Sequence, residues 1–123
     1  KIFRVNWFRK DSDGGFAWPG FGENMRVLNW IVDRVNGKEE AAESPFGFMP
    51  KYQDINWDGL EDFASDTFEE IMDIDREAGK KEVEEHKGYF ETFEDRLPAE
   101  MENQRQAFGQ RLDAAPEVWR INS

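Results

Sequence analysis

The sequence predicts an α+β domain, mainly α-helical, in which an N-terminal β-hairpin is followed by four to five helices. Three observations lead there. β-branched and aromatic residues crowd positions 2–8 and give way to a turn cluster. From about residue 23, apolar residues recur three and four apart, the helical period. The charge then changes character. Residues 1–36 carry six basic and four acidic groups, a net of +2, whereas residues 37–123 carry ten and 23, a net of −13. A length of 123 residues fits one domain with one modest core.

Ile2-Phe3-Arg4-Val5-Asn6-Trp7-Phe8 reads as a strand, and Asp11-Ser12-Asp13-Gly14-Gly15 as its turn. Phe16-Ala17-Trp18 supplies a short second strand, and Pro19-Gly20-Phe21-Gly22 breaks regular structure. A helix begins near Glu23. It carries Met25, Leu28, Ile31, Val32 and Val35 and stops at Asn36-Gly37. A long connection over 37–55 contains Pro45 and Pro50, and is either ordered by packing of Phe46, Phe48 and Met49 or mobile. Asn56 caps a short helix with Trp57, Leu60 and Phe63. Asp66 caps another with Phe68, Ile71 and Met72. A Glu/Lys-rich helix runs from Asp75 to about Phe93 with a thin stripe of Val83, Phe90 and Phe93. Pro98 suits the first position of a last helix bearing Met101, Phe108 and Leu112, which Pro116 ends. The resulting segments are 1–22, 23–36, 37–55, 56–115 and a tail over 116–123 anchored by Trp119.

Composition excludes several function classes. The formal charge of −11 and a pI near 4.5 argue against broad nucleic-acid or anionic-membrane binding, which needs a basic surface. No stretch approaches ~20 apolar residues, so no transmembrane helix is expected. Zero Cys excludes disulfides, thiolate metal sites and Cys nucleophiles, and suits a cytoplasmic location. A single His leaves no imidazole pair for acid–base work. The mean hydropathy of −0.86 is low, and 15% aromatic residues offset it because each buried ring removes a large apolar area from water. Lys1 is not followed by a signal-peptide pattern, and the sequence reads as a piece of a longer chain.

The chemistry concentrates in residues 5–24. Several rings and one neutral amide, that of Asn24, gather at a Gly-rich loop ahead of a helix start. Glycines there let the backbone approach a ligand closely. Such a site suits a flat ring with polar edges. Aromatic faces stack on a purine at roughly 1–3 kcal/mol per base without telling purines apart. Discrimination needs edge hydrogen bonds. An Asn carboxamide donates to a guanine O6 and accepts from its N1–H, the reverse of what adenine offers, and a mispaired buried polar group costs about 1–3 kcal/mol. The competing reading is a small aromatic core with glycines that serve only a turn.

Val5-Asn6-Trp7-Phe8-Arg9-Lys10-Asp11 and the run from Trp18-Pro19-Gly20-Phe21 to Leu28 resemble the C-terminal part of GTP-dependent phosphoenolpyruvate carboxykinases. Arg34-Val35-Asn36-Gly37 and Ser44-Pro45-Phe46-Gly47-Phe48-Met49-Pro50-Lys51 are similar to the family's next segment. The likeness covers nearly the whole chain and is strongest over residues 2–51. It implies a piece of a larger carboxykinase fold, with the remainder of the parent enzyme as partner. It also implies conversion of oxaloacetate and GTP to phosphoenolpyruvate, GDP and CO2, in gluconeogenesis or anaplerosis, with Mn2+ and Mg2+. On this resemblance Phe8, Phe16 and Phe21 enclose guanine and Asn24 contacts its edge. Ala17 and Phe46 depart from the family pattern at positions that are not proposed contacts. No G-x-x-x-x-G-K-[ST] phosphate loop occurs in the 123 residues, nor do the family's Mn2+ ligands or Cys loop. The chain alone is therefore expected to be catalytically inert, with no catalytic residue and no metal ligand of its own.

Other features have two readings each. His86 is a solvated or packed side chain, or a metal ligand. Glu69, Glu70, Asp73 and Asp75 form a solvated face or a cation site, without the spacing of a calcium loop. Arg9, Lys10 and Arg26 attract phosphates or are ordinary surface charge. Two other classes also stand: an acidic helical module that binds a protein partner, and a dimer without biological meaning formed through the exposed edge of strand 2–8.

Overall fold

The computed structural model describes residues 1–121, which divide into two compact units. Four α-helices and two small two-stranded sheets are present among the described residues, a mixed α+β composition.

The first unit comprises Lys1–Glu43 and Phe48–Met72. Its hairpin is smaller than the sequence suggests. Residues 2–8 form no regular strand, and the ribbon is joined by a single antiparallel bridge, Lys10 to Phe16. The Ala17 N–H also donates to Arg9 O at 2.9 Å, and the Asp11 carboxylate accepts from the N–H groups of Asp13 and Gly15. β-Propensity expresses the fit of a side chain to a pleated, half-buried surface, and Ile2, 99% exposed, has no such surface. The strand edge invoked for dimerisation is accordingly not formed. A 3₁₀ turn over Phe21–Glu23 leads into α1 (Asn24–Val35), which ends at Asn36 with Gly37 at φ 73°. The expected boundaries hold. The apolar stripe Met25–Leu28–Val32–Val35 is exposed, however, and Trp30 is the buried residue of this helix.

The connection over 37–55 is ordered by local structure. β1 (Ala42–Ser44) and β2 (Gly47–Met49) form a two-stranded sheet, followed by a 3₁₀ turn over Tyr52–Asp54. The expected helix after Asn56 is replaced by two consecutive turns, Leu60 N–H to Trp57 O and Phe63 N–H to Leu60 O. Gly59 sits at φ 78°, in the left-handed region, which interrupts a right-handed helix. α2 (Ser65–Met72) closes the unit. Its core is aromatic. Trp18, Ile55, Phe63 and Phe68 are buried. The Trp57 ring stacks on Tyr52, with centroids 5.0 Å apart, and contacts Trp18, Phe63 and Phe68. Polar ends inside this cluster find backbone partners: Tyr52 O–H donates to Phe63 O and Trp57 Nε1 to Tyr52 O, both at 2.8 Å.

The second unit comprises Ser44–Gly47 and Asp73–Ile121. β3 (Ile74–Asp75) pairs antiparallel with β4 (Val118–Trp119), so Trp119 is held in the tail as expected. α3 (Arg76–Glu91) starts from Asp75, whose carboxylate caps the Ala78 N–H at 2.6 Å. α4 (Ala99–Ala114) follows Pro98 and packs against α3 as a helical hairpin. Leu112, Ile74 and Ile121 are its buried apolar residues. No described helix is long and apolar enough to cross a membrane.

Candidate functional site

The proposed pocket residues all lie in the first unit. Asn6 Oδ1 accepts from the Phe8 N–H at 3.0 Å and pins the backbone where the Phe8 ring leaves the chain. Phe16 faces it across the ribbon through the Lys10–Phe16 bridge. The two rings meet edge to face, with centroids 5.8 Å apart and planes at 67°. Arg9 anchors the ribbon to the end of α2 by donating to Ile71 O. Phe21 rides on the 3₁₀ turn, preceded by Gly20 at φ 138°, a conformation that favours glycine. It makes no ring contact with Phe8 or Phe16.

All three phenylalanines are exposed: Phe8 by 70%, Phe16 by 62% and Phe21 by 91%. The aromatic core of this unit is built instead from Trp7, Trp18, Tyr52, Trp57, Phe63 and Phe68. Within residues 5–24 the core reading therefore holds for Trp7 and Trp18, whereas Phe8, Phe16 and Phe21 lie outside the core.

Asn24 opens α1. Its N–H donates to Phe21 O, and its Oδ1 accepts from Trp18 Nε1 at 2.8 Å. This Trp18 partner was not among the sequence expectations for Asn24. A buried Trp needs an acceptor for its indole N–H, and that requirement was the available signal.

Of the three flanking cations, two are engaged structurally. The Arg26 guanidinium donates to Glu23, to Asn56 O at 2.6 Å and to Asp58 O at 3.0 Å. Arg9 is committed to Ile71 O. Lys10 remains exposed beside Phe16. A cavity of about 470 Å3 lies elsewhere in the unit, lined by Arg26, Asn29, Trp30, Asp33, Asp54 and Asp58 among others. It contains none of the four pocket residues, and its carboxylates disfavour a phosphate. Among the described residues no three carboxylate or imidazole groups converge to hold a metal ion.

Comparison with known proteins bears on this site. A family model described as the phosphoenolpyruvate carboxykinase C-terminal P-loop domain matches residues 1–111. The cytosolic GTP-dependent phosphoenolpyruvate carboxykinase of Gallus gallus is 45% identical over 113 residues, 91% of this chain and 18% of that protein. The GTP-dependent enzyme of Neocallimastix frontalis is 46% identical over 116 residues, 94% and 19% respectively. That of Renibacterium salmoninarum is 39% identical over 112 residues, again 91% and 18%. The chain thus spans less than a fifth of the length of these relatives. With a match over residues 1–111, the chain belongs to the phosphoenolpyruvate carboxykinase C-terminal P-loop domain family.

Proposed function

We propose that this chain supplies the guanine-recognising surface of a GTP-dependent phosphoenolpyruvate carboxykinase. Phe8, Phe16 and Phe21 offer ring faces to the base, and Asn24 offers its amide to the base edge. One observation carries the reading beyond family membership. The three rings are exposed, while a separate set of aromatics fills the core. In an edge-to-face pair one ring keeps both faces free and the other keeps one, and a planar base gains from each face it covers.

The reaction proper belongs to a longer polypeptide. Phosphoryl transfer depends on positioning and on metal-assisted charge stabilisation. This sequence has neither a phosphate loop nor a converging set of metal ligands among its described residues. The purified chain is expected not to consume GTP in the presence of oxaloacetate, and the enzyme is expected to work in the cytoplasm.

Titration of GDP and ADP against intrinsic Trp fluorescence, in a full-length carboxykinase carrying this segment, tests the pocket. GDP-selective quenching that Phe21→Ala abolishes supports it. An equal response to both nucleotides, or one indifferent to Phe21→Ala, contradicts it.

A further inference from the structure

We propose that Trp18 is a positioning residue for purine selectivity: its indole N–H fixes the Asn24 carboxamide so that the amino end faces the base. The inference rests on the pocket reading above and adds to it a residue that touches no ligand.

An indole Nε1–H only donates, whereas a carboxamide has one accepting and one donating end. Trp18 Nε1 and the Asn24 side chain are 2.8 Å apart, so the end of Asn24 that meets Trp18 is its oxygen. The two N–H groups on Asn24 Nδ2 are therefore directed away from Trp18. Among the described residues no acceptor meets them.

The indole is itself held. Trp18 is 7% exposed and contacts Trp7, Trp57 and Phe63 at centroid distances of 5.7, 6.3 and 5.9 Å. Trp57 is fixed in turn by its bond to Tyr52 O. Rotation of Trp18 would disturb several ring contacts and leave a buried donor unpaired. The aromatic core thus sets the orientation of one amide at the start of α1.

The consequence is chemical. A purine with an exocyclic oxygen at position 6 accepts from a fixed amino group. One with an exocyclic amine there presents a donor to a donor. Without Trp18 the carboxamide turns over and serves either base. The sequence expectation that Asn24 both donates to O6 and accepts from N1–H is sharpened: Trp18 takes one of the two lone pairs of Oδ1 and fixes which end is which, so the amino end carries the discrimination at position 6.

The test uses a full-length carboxykinase carrying this segment, with GDP and ADP binding measured by calorimetry. Trp18→Phe keeps a ring in the core and removes the N–H donor, together with part of the indole's volume, which by itself would weaken both nucleotides alike. It is expected to lower the ratio of GDP to ADP affinity about tenfold, chiefly by strengthening ADP. Asn24→Asp keeps an acceptor for Trp18 and removes the donor toward the base, and is expected to lower GDP affinity selectively. An unchanged ratio in Trp18→Phe, with a lowered ratio in Asn24→Asp, overturns the role of Trp18 and leaves the pocket intact. Equal weakening of both nucleotides by Trp18→Phe shows a merely structural role and also overturns it. No change in either variant overturns the pocket together with the proposal.

Discussion

Leu112 occupies the space that a side chain on Gly79 would need. A Cβ built on Gly79 would lie 2.8 Å from Leu112 Cδ2, closer than packed carbon atoms approach, and 3.3 Å from the Phe46 ring, a tight contact. Leu112 is 0% exposed and cannot yield into solvent. Helix propensity favours Ala over Gly by about 1 kcal/mol, but overpacking a filled site costs about 1–3 kcal/mol. Gly79→Ala is therefore expected to destabilise the second unit by about 1 kcal/mol in urea unfolding. Leu112→Ala alone is expected to cost about 2–5 kcal/mol. The double variant should be more stable than the sum of the two costs implies, because each change relieves the other. Strict additivity would contradict this packing.

Arg26 ties α1 to the turns after Asn56. It donates to two backbone carbonyls and to Glu23, with its side chain 19% exposed. Charged hydrogen bonds contribute about 1.5–3 kcal/mol each at most sites. Arg26→Ala is expected to cost about 2 kcal/mol in chemical unfolding. Arg26→Lys should not restore it, since an ammonium lacks the planar fork that spans three acceptors. Full rescue by Lys would contradict the geometry.

Glu102 is expected to resist protonation. Hydrogen bonds from Arg105 and then Gln106, at 2.7 to 2.8 Å, lower its carboxyl from the ordinary value of 4.5 to about 2. The folded value lies below the unfolded one, so the unfolded chain binds more protons in between. The contribution to stability is present above about pH 4.5 and is lost as the pH falls toward 2. Carboxyl 13C titration should place Glu102 near 2 in the wild type and return it to the ordinary range in Arg105→Ala. An unshifted wild-type titration would contradict the pairing.

How much of this was legible beforehand depends on what each feature rests upon. α1, α2, α3 and α4 follow from local period, but the caps do not all fall where expected: Asp66 lies inside the first turn of α2, and Asp75, read only as the start of a charged helix, caps α3. The failures come from interactions beyond local sequence. Residues 2–8 have strand propensity but no partner, and Gly59 turns the backbone where periodicity alone implied a helix. Arg26 looked like a surface cation, yet carbonyls some thirty residues away hold it. At the proposed site, the assignment of Phe8, Phe16, Phe21 and Asn24 rests on motif resemblance. The Trp18–Asn24 bond was not, because it depends on a side chain turned inward by an aromatic core assembled from distant residues.

The central claim is that guanine is met by the three exposed phenylalanines. Isotope-filtered NOE spectroscopy on a full-length carboxykinase carrying this segment, selectively labelled at phenylalanine and bound to GDP, tests it most directly. The account predicts NOEs from the guanine H8 to the rings of Phe8, Phe16 and Phe21, each lost when that residue is changed to Ala. Guanine NOEs that persist through all three substitutions would place the base elsewhere and contradict the account.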